Sequence, residues 1–126
     1  MATSVSRSST QTRPIDPDKL NALLGQAVQD MGAAMHAPLI VIGDKLGLYR
    51  AMGDGCPVTP AELASRTGTA ERYVREWLNA NAAGKFVEYD VSSGKYFMTP
   101  EQALALAQDE TPVHLPGVYH MLASLM

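Results

Sequence analysis

The stretch that decides the fold is Thr59–Met98, TPAELASRTGTAERYVREWLNANAAGKFVEYDVSSGKYFM. It opens with a capping box that has proline at the first helical position, which predicts a short helix over residues 60–66. Gly68 ends that helix, and a second helix is predicted from residue 70 to about residue 83, where Gly84 stops it. Two helices joined by a short turn that contains glycine have the spacing of a helix-turn-helix.

Two aromatic and apolar segments follow the second helix. Residues 86–89 and 96–98 are rich in strand formers, and residues 91–94 (VSSG) join them through a glycine that can take a positive φ. This pattern predicts a β-hairpin, which after a helix-turn-helix is a wing. The fold class is therefore mainly α with a small β-hairpin, a winged helix-turn-helix. In its second helix we expect the buried side to consist of Tyr73, Val74, Trp77, Leu78 and Asn81.

Two long apolar helices are predicted ahead of the winged helix, at residues 18–35 and 38–52. Asp16-Pro17-Asp18 is a typical helix start, and Pro38 restarts the chain in a helix that is apolar on more than one side. The apolar surface of these two helices exceeds what one small core can cover. We therefore predict a homodimer formed through both helices. In the first helix the apolar residues recur every three or four positions, at Leu20, Leu23, Leu24, Ala27, Val28, Met31 and Met35.

Size and composition restrict the class of protein. The 126 residues suffice for one domain, and 46% hydrophobic with 18% charged residues is typical of a soluble globular protein. The net charge of −3 has the wrong sign for a protein that mainly binds nucleic-acid phosphates. Cys56 is the only cysteine, which excludes an intrachain disulfide and a multi-cysteine metal site and fits a cytoplasmic location. We expect Cys56 to be a small buried residue.

The two ends of the chain differ from its centre. Residues 1–15 are rich in Ser and Thr without an apolar core, which predicts a disordered tail rather than a secretory signal, and no apolar run is long enough to cross a membrane. Residues 16–108 form the predicted winged-helix and dimerisation domain, ending in a short capped helix at 99–107. Residues 109–126 read as the start of a linker helix toward an absent catalytic domain, because the apolar pattern stops at Met126 without a cap.

DNA binding is the alternative function that the helix-turn-helix raises. Residues 59–85 carry four basic and three acidic residues, a net charge of only +1, and the wing adds two carboxylates, so the charge balance disfavours this alternative. In addition, each arginine of the second helix has a glutamate four residues away that competes with phosphate. If DNA were bound, the residues in contact with it would be Arg72, Arg75, Glu76, Asn79 and Lys95.

Nothing in the sequence indicates catalysis within this chain. It contains no glycine-rich strand-to-helix loop, no P-loop and no nucleophile elbow, so we assign no catalytic and no cofactor-binding residue. His114 and His120 are six residues apart, a poor spacing for a metal, and with His36 they are expected to be ordinary helix-end or core histidines, with no metal site. Of the seven methionines, Met31, Met35 and Met52 lie on helix faces and are expected to fill a core or an interface.

From Ile42 onward the sequence resembles the N-terminal winged-helix domain of bacterial class I S-adenosylmethionine-dependent methyltransferases, some of which are described as transcriptional regulators. Four blocks in the same order carry the resemblance, over roughly two thirds of the chain. They are IGDKLGLY at 42–49, TPAELA at 59–64, ERYVREWL at 71–78 and YFMTPE at 96–101.

The resemblance implies a function that composition alone does not. In that family the winged helix dimerises and covers the active site of the catalytic domain, and the final helix helps to form the wall of a substrate pocket. It implies that a longer parent protein, which includes the catalytic domain, uses S-adenosylmethionine as its cofactor, and that this chain itself binds no cofactor. It also implies a small apolar methyl acceptor as a further partner. The expected function is thus a non-catalytic dimerisation and substrate-cap module of a methyltransferase, and a stand-alone DNA-binding transcriptional regulator is the alternative.

Overall fold

A computed structural model describes residues 13–125, and the predicted disorder of the first twelve residues lies outside this range. Six helices and one two-stranded antiparallel sheet make up the described part, which confirms the predicted fold class of a winged helix with a long helix ahead of it. In chain order the elements are α1 (Pro17–Lys45), α2 (Leu48–Met52), α3 (Pro60–Thr67), α4 (Glu71–Ala83), β1 (Glu88–Asp90), β2 (Lys95–Phe97), α5 (Pro100–Leu106) and α6 (Leu115–Ser124).

At α3, the threonine half of the predicted capping box forms, and the helix ends at the predicted glycine. The hydroxyl of Thr59 accepts a hydrogen bond from the backbone N–H of Glu62 at 3.1 Å, which caps α3. Gly68 ends α3 with a φ of +66°, a conformation that favours glycine. α4 begins without a side-chain cap, because its N-cap residue is Ala70, which has no polar side chain. The hydroxyl of the preceding Thr69 bonds to that of Thr67.

The wing is an antiparallel hairpin in which β1 begins two residues later than predicted and β2 begins one residue earlier. Glu88 pairs with Phe97 and Asp90 with Lys95. Phe86 and Val87 are not in the strand, because their backbone N–H groups bond to the carbonyl oxygen of Asn81 at the end of α4.

The buried side of α4 is formed by Val74, Trp77, Leu78 and Asn81, as predicted, whereas Tyr73 is 76% exposed and its predicted burial is wrong. The four buried positions follow helical spacing, and Tyr73 lies roughly 90° from their mean direction at 100° per residue. Cys56 is also exposed, against the expectation that it is buried.

A chain of three hydrogen bonds crosses the core. The hydroxyl of Tyr49 donates to Oδ1 of Asn81 at 2.5 Å, and the amide of Asn81 donates to the carbonyl of Trp77 at 2.9 Å. The indole N–H of Trp77 donates to the carbonyl of Leu39 in α1 at 2.9 Å. Burial raises the pKa of Tyr49 far above its usual range, so its hydroxyl remains a donor. These bonds fix α1, α2 and α4 relative to one another.

The two predicted helices at 18–35 and 38–52 are instead one helix of 29 residues followed by a short one. α1 continues through Pro38, although proline has no N–H for the carbonyl four residues earlier. Packing supports the C-terminal part, because Ile40 and Gly43 are buried against the core. The predicted second helix is divided at Gly47, whose φ of +72° separates α1 from α2.

Candidate functional site

The N-terminal part of α1 lies on the surface with one apolar side uncovered. Every residue from 17 to 35 is exposed. The large apolar side chains of this part are 45% to 71% exposed and recur at helical spacing, as the sequence predicted. We call this set the α1 stripe; it consists of Leu20, Leu23, Leu24, Val28, Met31 and Met35.

The solvent side of α4 carries the residues named for the DNA-binding alternative. A surface depression runs over Arg72, Arg75 and Glu76, and Arg75 forms an ion pair with Glu71 at 2.7 Å. Asn79 lies nearer the wing, where its Oδ1 accepts a short hydrogen bond from the hydroxyl of Tyr96. The structure therefore places these α4 residues together, but half-exposed Arg75 already has a carboxylate partner.

The wing adds negative charge next to this side. Lys95 stands opposite Asp90 in the hairpin register. Hydrogen bonds from Ser92 and then Ser93 hold the pKa of the Asp90 carboxyl below its usual range, so it stays ionised. A phosphate near Lys95 would meet this carboxylate as well as the ammonium group, which is unfavourable for binding a polyanion.

A polar cluster where α6 meets α1 was not predicted. His120 lies 2.9 Å from the carboxylate of Asp44, and Arg50 contacts Asp109 at 3.2 Å. His114 and these two carboxylates have ligand atoms within 4.8 Å of one another, so the histidines do have carboxylate neighbours that spacing did not reveal. Arg50 supplies the compensating positive charge and also donates to the carbonyl of Asp44 at 2.8 Å. The cluster therefore anchors α6 to α1 and α2.

A cleft of about 390 Å³ opens between α1, the end of α4 and α6. Its walls include His36 from α1, Phe86 from the segment after α4 and Tyr119 from α6. Sequence reasoning missed this cleft because its three aromatic rings are far apart in the chain and no local motif links them. The expectation that this chain holds no catalytic, cofactor-binding or metal-binding residue stays a prediction.

Within residues 13–125, none of the helices combines the length and the apolar character needed to cross a membrane. No curated protein sequence is significantly similar to this chain.

Two solved structures have a similar fold over most of this chain. "PigF with SAH" is 20% identical, with a TM-score of 0.66, and the match covers 88% of this chain and 30% of that one. CalO1, described as a methyltransferase in calicheamicin biosynthesis in its SAH-bound form, is 26% identical, with a TM-score of 0.64 and coverage of 87% and 31%. The chain therefore spans less than a third of the length of either protein.

A family model matches residues 34–108, which include the C-terminal part of α1, the helix-turn-helix, the wing and α5. This match covers more than half of the chain. The chain belongs to the family of Rv2258c-like winged HTH domains.

Proposed function

We propose that this chain is a non-catalytic module that dimerises through α1 and covers the active site of an S-adenosylmethionine-dependent methyltransferase domain. The single observation that carries the dimer is the α1 stripe, six large apolar side chains left uncovered on one helix. Contiguous exposed apolar surface of this kind typically marks an interface.

The composition of the exposed part of α1 supports a second copy as the partner. Most of the stability of a helix in a protein comes from packing of its apolar face, and Gly25 and Gly32 lower the helix propensity of this part of α1. Its large apolar side chains remain 45% to 71% exposed in the structure of residues 13–125. Pairing of two identical stripes around a two-fold axis would supply the missing packing to both helices at once.

The methyltransferase part of the proposal rests on the likeness to CalO1, which is described as a methyltransferase with SAH bound. SAH is the product that S-adenosylmethionine becomes once its methyl group has been transferred. Because this chain corresponds to 31% of CalO1, the cofactor and the chemistry are assigned to a further domain of the parent protein. In this scheme α6 leads toward that domain, and the acceptor is a small apolar molecule.

Sedimentation equilibrium of the 126-residue chain tests the dimer. We expect a dimer at micromolar concentration, and we expect Leu24→Glu to raise the dimer Kd by on the order of a hundredfold, since two buried leucines are lost per dimer. Gln26→Glu is the matched control, because it adds the same charge to an exposed position of α1 outside the stripe. A parent chain that stays monomeric, or a Leu24→Glu chain that associates like the parent, would refute the proposal.

The sequence of the source gene beyond codon 126 tests the second part of the proposal, the role as a cap on a methyltransferase domain. An open frame that encodes a glycine-rich loop after a strand would support a cofactor domain. A stop codon at that point would contradict the cap role and leave a free-standing winged helix.

The exposed Arg72 and Arg75 on the second helix of a helix-turn-helix favour DNA binding as a second candidate function. Its test is a gel shift at low salt with the parent chain and Arg75→Ala. A shift that weakens with salt and is lost in the variant would support a regulator, and the absence of any shift at low salt would end this candidate.

A further inference from the structure

The cleft between α1, the end of α4 and α6 has the size and composition of a small-molecule site. Its volume of about 390 Å³ falls within the range of roughly 300–1,000 Å³ that is typical of ligand pockets. Apolar and aromatic walls combine with a few polar side chains, as in most such sites. The lining residues that α1 contributes are Gln29, Gly32, Ala33 and His36.

Three aromatic rings follow one another along the wall. The ring of His36 is tilted against that of Phe86, with centroids 5.2 Å apart. Tyr119 meets Phe86 edge to face, at 6.5 Å and 89°. A planar aromatic ligand would find both ring faces and ring edges there, the two surfaces on which aromatic groups stack most favourably.

His36 has unused hydrogen-bonding capacity. Its Nδ1 is buried and has no partner among residues 13–125, an uncommon state for a buried polar atom. Its other nitrogen, Nε2, lies next to Gly84, and both residues line the cleft. A Cβ on Gly84 would overlap Nε2 and Cε1 of the imidazole and stand 3.0 Å from Cδ2. The missing side chain at Gly84 is therefore what leaves room for the imidazole at the wall.

The cleft and the α1 stripe lie on different sides of α1. At 100° per residue, the α1 positions that line the cleft are centred roughly 150° away from the stripe. A second copy that covers the stripe would therefore leave the cleft accessible.

We infer that this cleft binds a planar aromatic molecule bearing a hydroxyl group, with the ring against Phe86 and Tyr119 and the hydroxyl hydrogen-bonded to Nε2 of His36. The hydroxyl can donate to, or accept from, the imidazole, depending on its tautomer. Binding itself requires only residues of this chain. That the bound molecule is the methyl acceptor rests on the proposed function.

Isothermal titration of the 126-residue chain with 2-naphthol tests the inference, with 2-methoxynaphthalene as the matched probe that lacks the hydroxyl proton. We expect 2-naphthol to bind with one site per protomer. We expect His36→Phe, which keeps a ring and removes both nitrogens, to weaken 2-naphthol binding by roughly fivefold, the effect of one hydrogen bond. The same variant should change binding of 2-methoxynaphthalene by less.

Gly84→Ala is the second variant. The φ of Gly84 is −83°, so alanine introduces no backbone strain. The three atoms nearest to the new methyl group all belong to the imidazole of His36, which would have to shift. We expect this chain to fold and to bind 2-naphthol at least tenfold more weakly, because the displaced ring occupies the cleft. Equal affinity of the parent, His36→Phe and Gly84→Ala chains, or no binding of 2-naphthol to the parent, would overturn the inference.

Sedimentation of the same samples separates this inference from the proposed function. A monomeric chain that binds 2-naphthol through His36 would refute the dimer and support the site. A dimeric chain that does not bind 2-naphthol would support the dimer and refute the site.

Discussion

Replacement of Gly43 by alanine would force a methyl group between α1 and two buried rings. A Cβ at this position would stand 2.7 Å from Cε2 of Tyr49 and 2.9 Å from Cε2 of Trp77, and closer still to Cζ2 of the indole. Neither ring can move freely, because Tyr49 is hydrogen-bonded to Asn81 and Trp77 to the carbonyl of Leu39. The two rings also pack against each other, with centroids 4.8 Å apart.

The expected loss of stability follows from three contributions. Overpacking of a core costs about 1–3 kcal/mol, and distortion of one of the hydrogen bonds adds about 1 kcal/mol. The better helix propensity of alanine offsets about 1 kcal/mol. We therefore expect Gly43→Ala to lower the free energy of unfolding by about 1–3 kcal/mol.

Gly25→Ala in the same helix is the matched control. Gly25 is exposed and a Cβ there has no atom within 4 Å, so only the propensity gain of about 0.5–1 kcal/mol remains. The two variants should differ by about 2–4 kcal/mol in urea unfolding, measured at one protein concentration because association shifts apparent stability. A Gly43→Ala chain as stable as Gly25→Ala would show that α1 does not approach α4 as closely as described.

Three further predictions follow from the core and from the contact between α1 and α6. Trp77→Ala should lower the free energy of unfolding by about 3–5 kcal/mol, and a thermal midpoint within a few degrees of the parent would place Trp77 outside the core. Burial raises the pKa of Tyr49, so the folded state holds this proton more tightly than the unfolded state. The resulting contribution to the free energy of unfolding is fully present below about pH 10 and should fall as the pH rises further. Tyr49→Phe should remove the part of the stability loss at alkaline pH that comes from this hydroxyl. It should also lower the free energy of unfolding by about 1–3 kcal/mol at neutral pH, because Oδ1 of Asn81 loses its donor. An unchanged dependence of stability on alkaline pH would contradict the raised pKa of Tyr49. His120→Ala, which removes the bond to Asp44, should speed hydrogen exchange of the α6 amides by roughly fivefold, and exchange equal to the parent would show that the cluster does not anchor α6.

Local signals predicted most of the winged helix. The caps at Thr59 and Thr99 and the stop at Gly68 act within one turn of helix, so a few neighbouring residues suffice to identify them. The hairpin turn ends at Gly94 with a φ of +69°, again a local requirement. Helix-turn-helix and wing could therefore be located from sequence to within a few residues.

Features that depend on distant residues could not be predicted in this way. Pro38 normally breaks a helix, and α1 continues through it only because the following turns pack against α4, whose indole bonds to Leu39. Tyr73 has the apolar character of a core residue but lies at the edge of the buried side of α4. The pairs Asp44–His120 and Arg50–Asp109 join residues 76 and 59 positions apart, which no periodic pattern reveals.

The two sides of α1 make the dimer and the cleft separable by experiment. Leu24 belongs to the α1 stripe, whereas His36 lines the cleft on a different side of the same helix. If the second copy covers only the stripe, Leu24→Glu should weaken association while each protomer still binds 2-naphthol. His36→Phe should weaken 2-naphthol binding and leave association unchanged. If the partner helix instead filled the cleft, His36→Phe would change association, and 2-naphthol would compete with dimer formation. A linkage between ligand concentration and the dimer Kd would therefore assign the partner to the cleft, and its absence would assign the partner to the stripe.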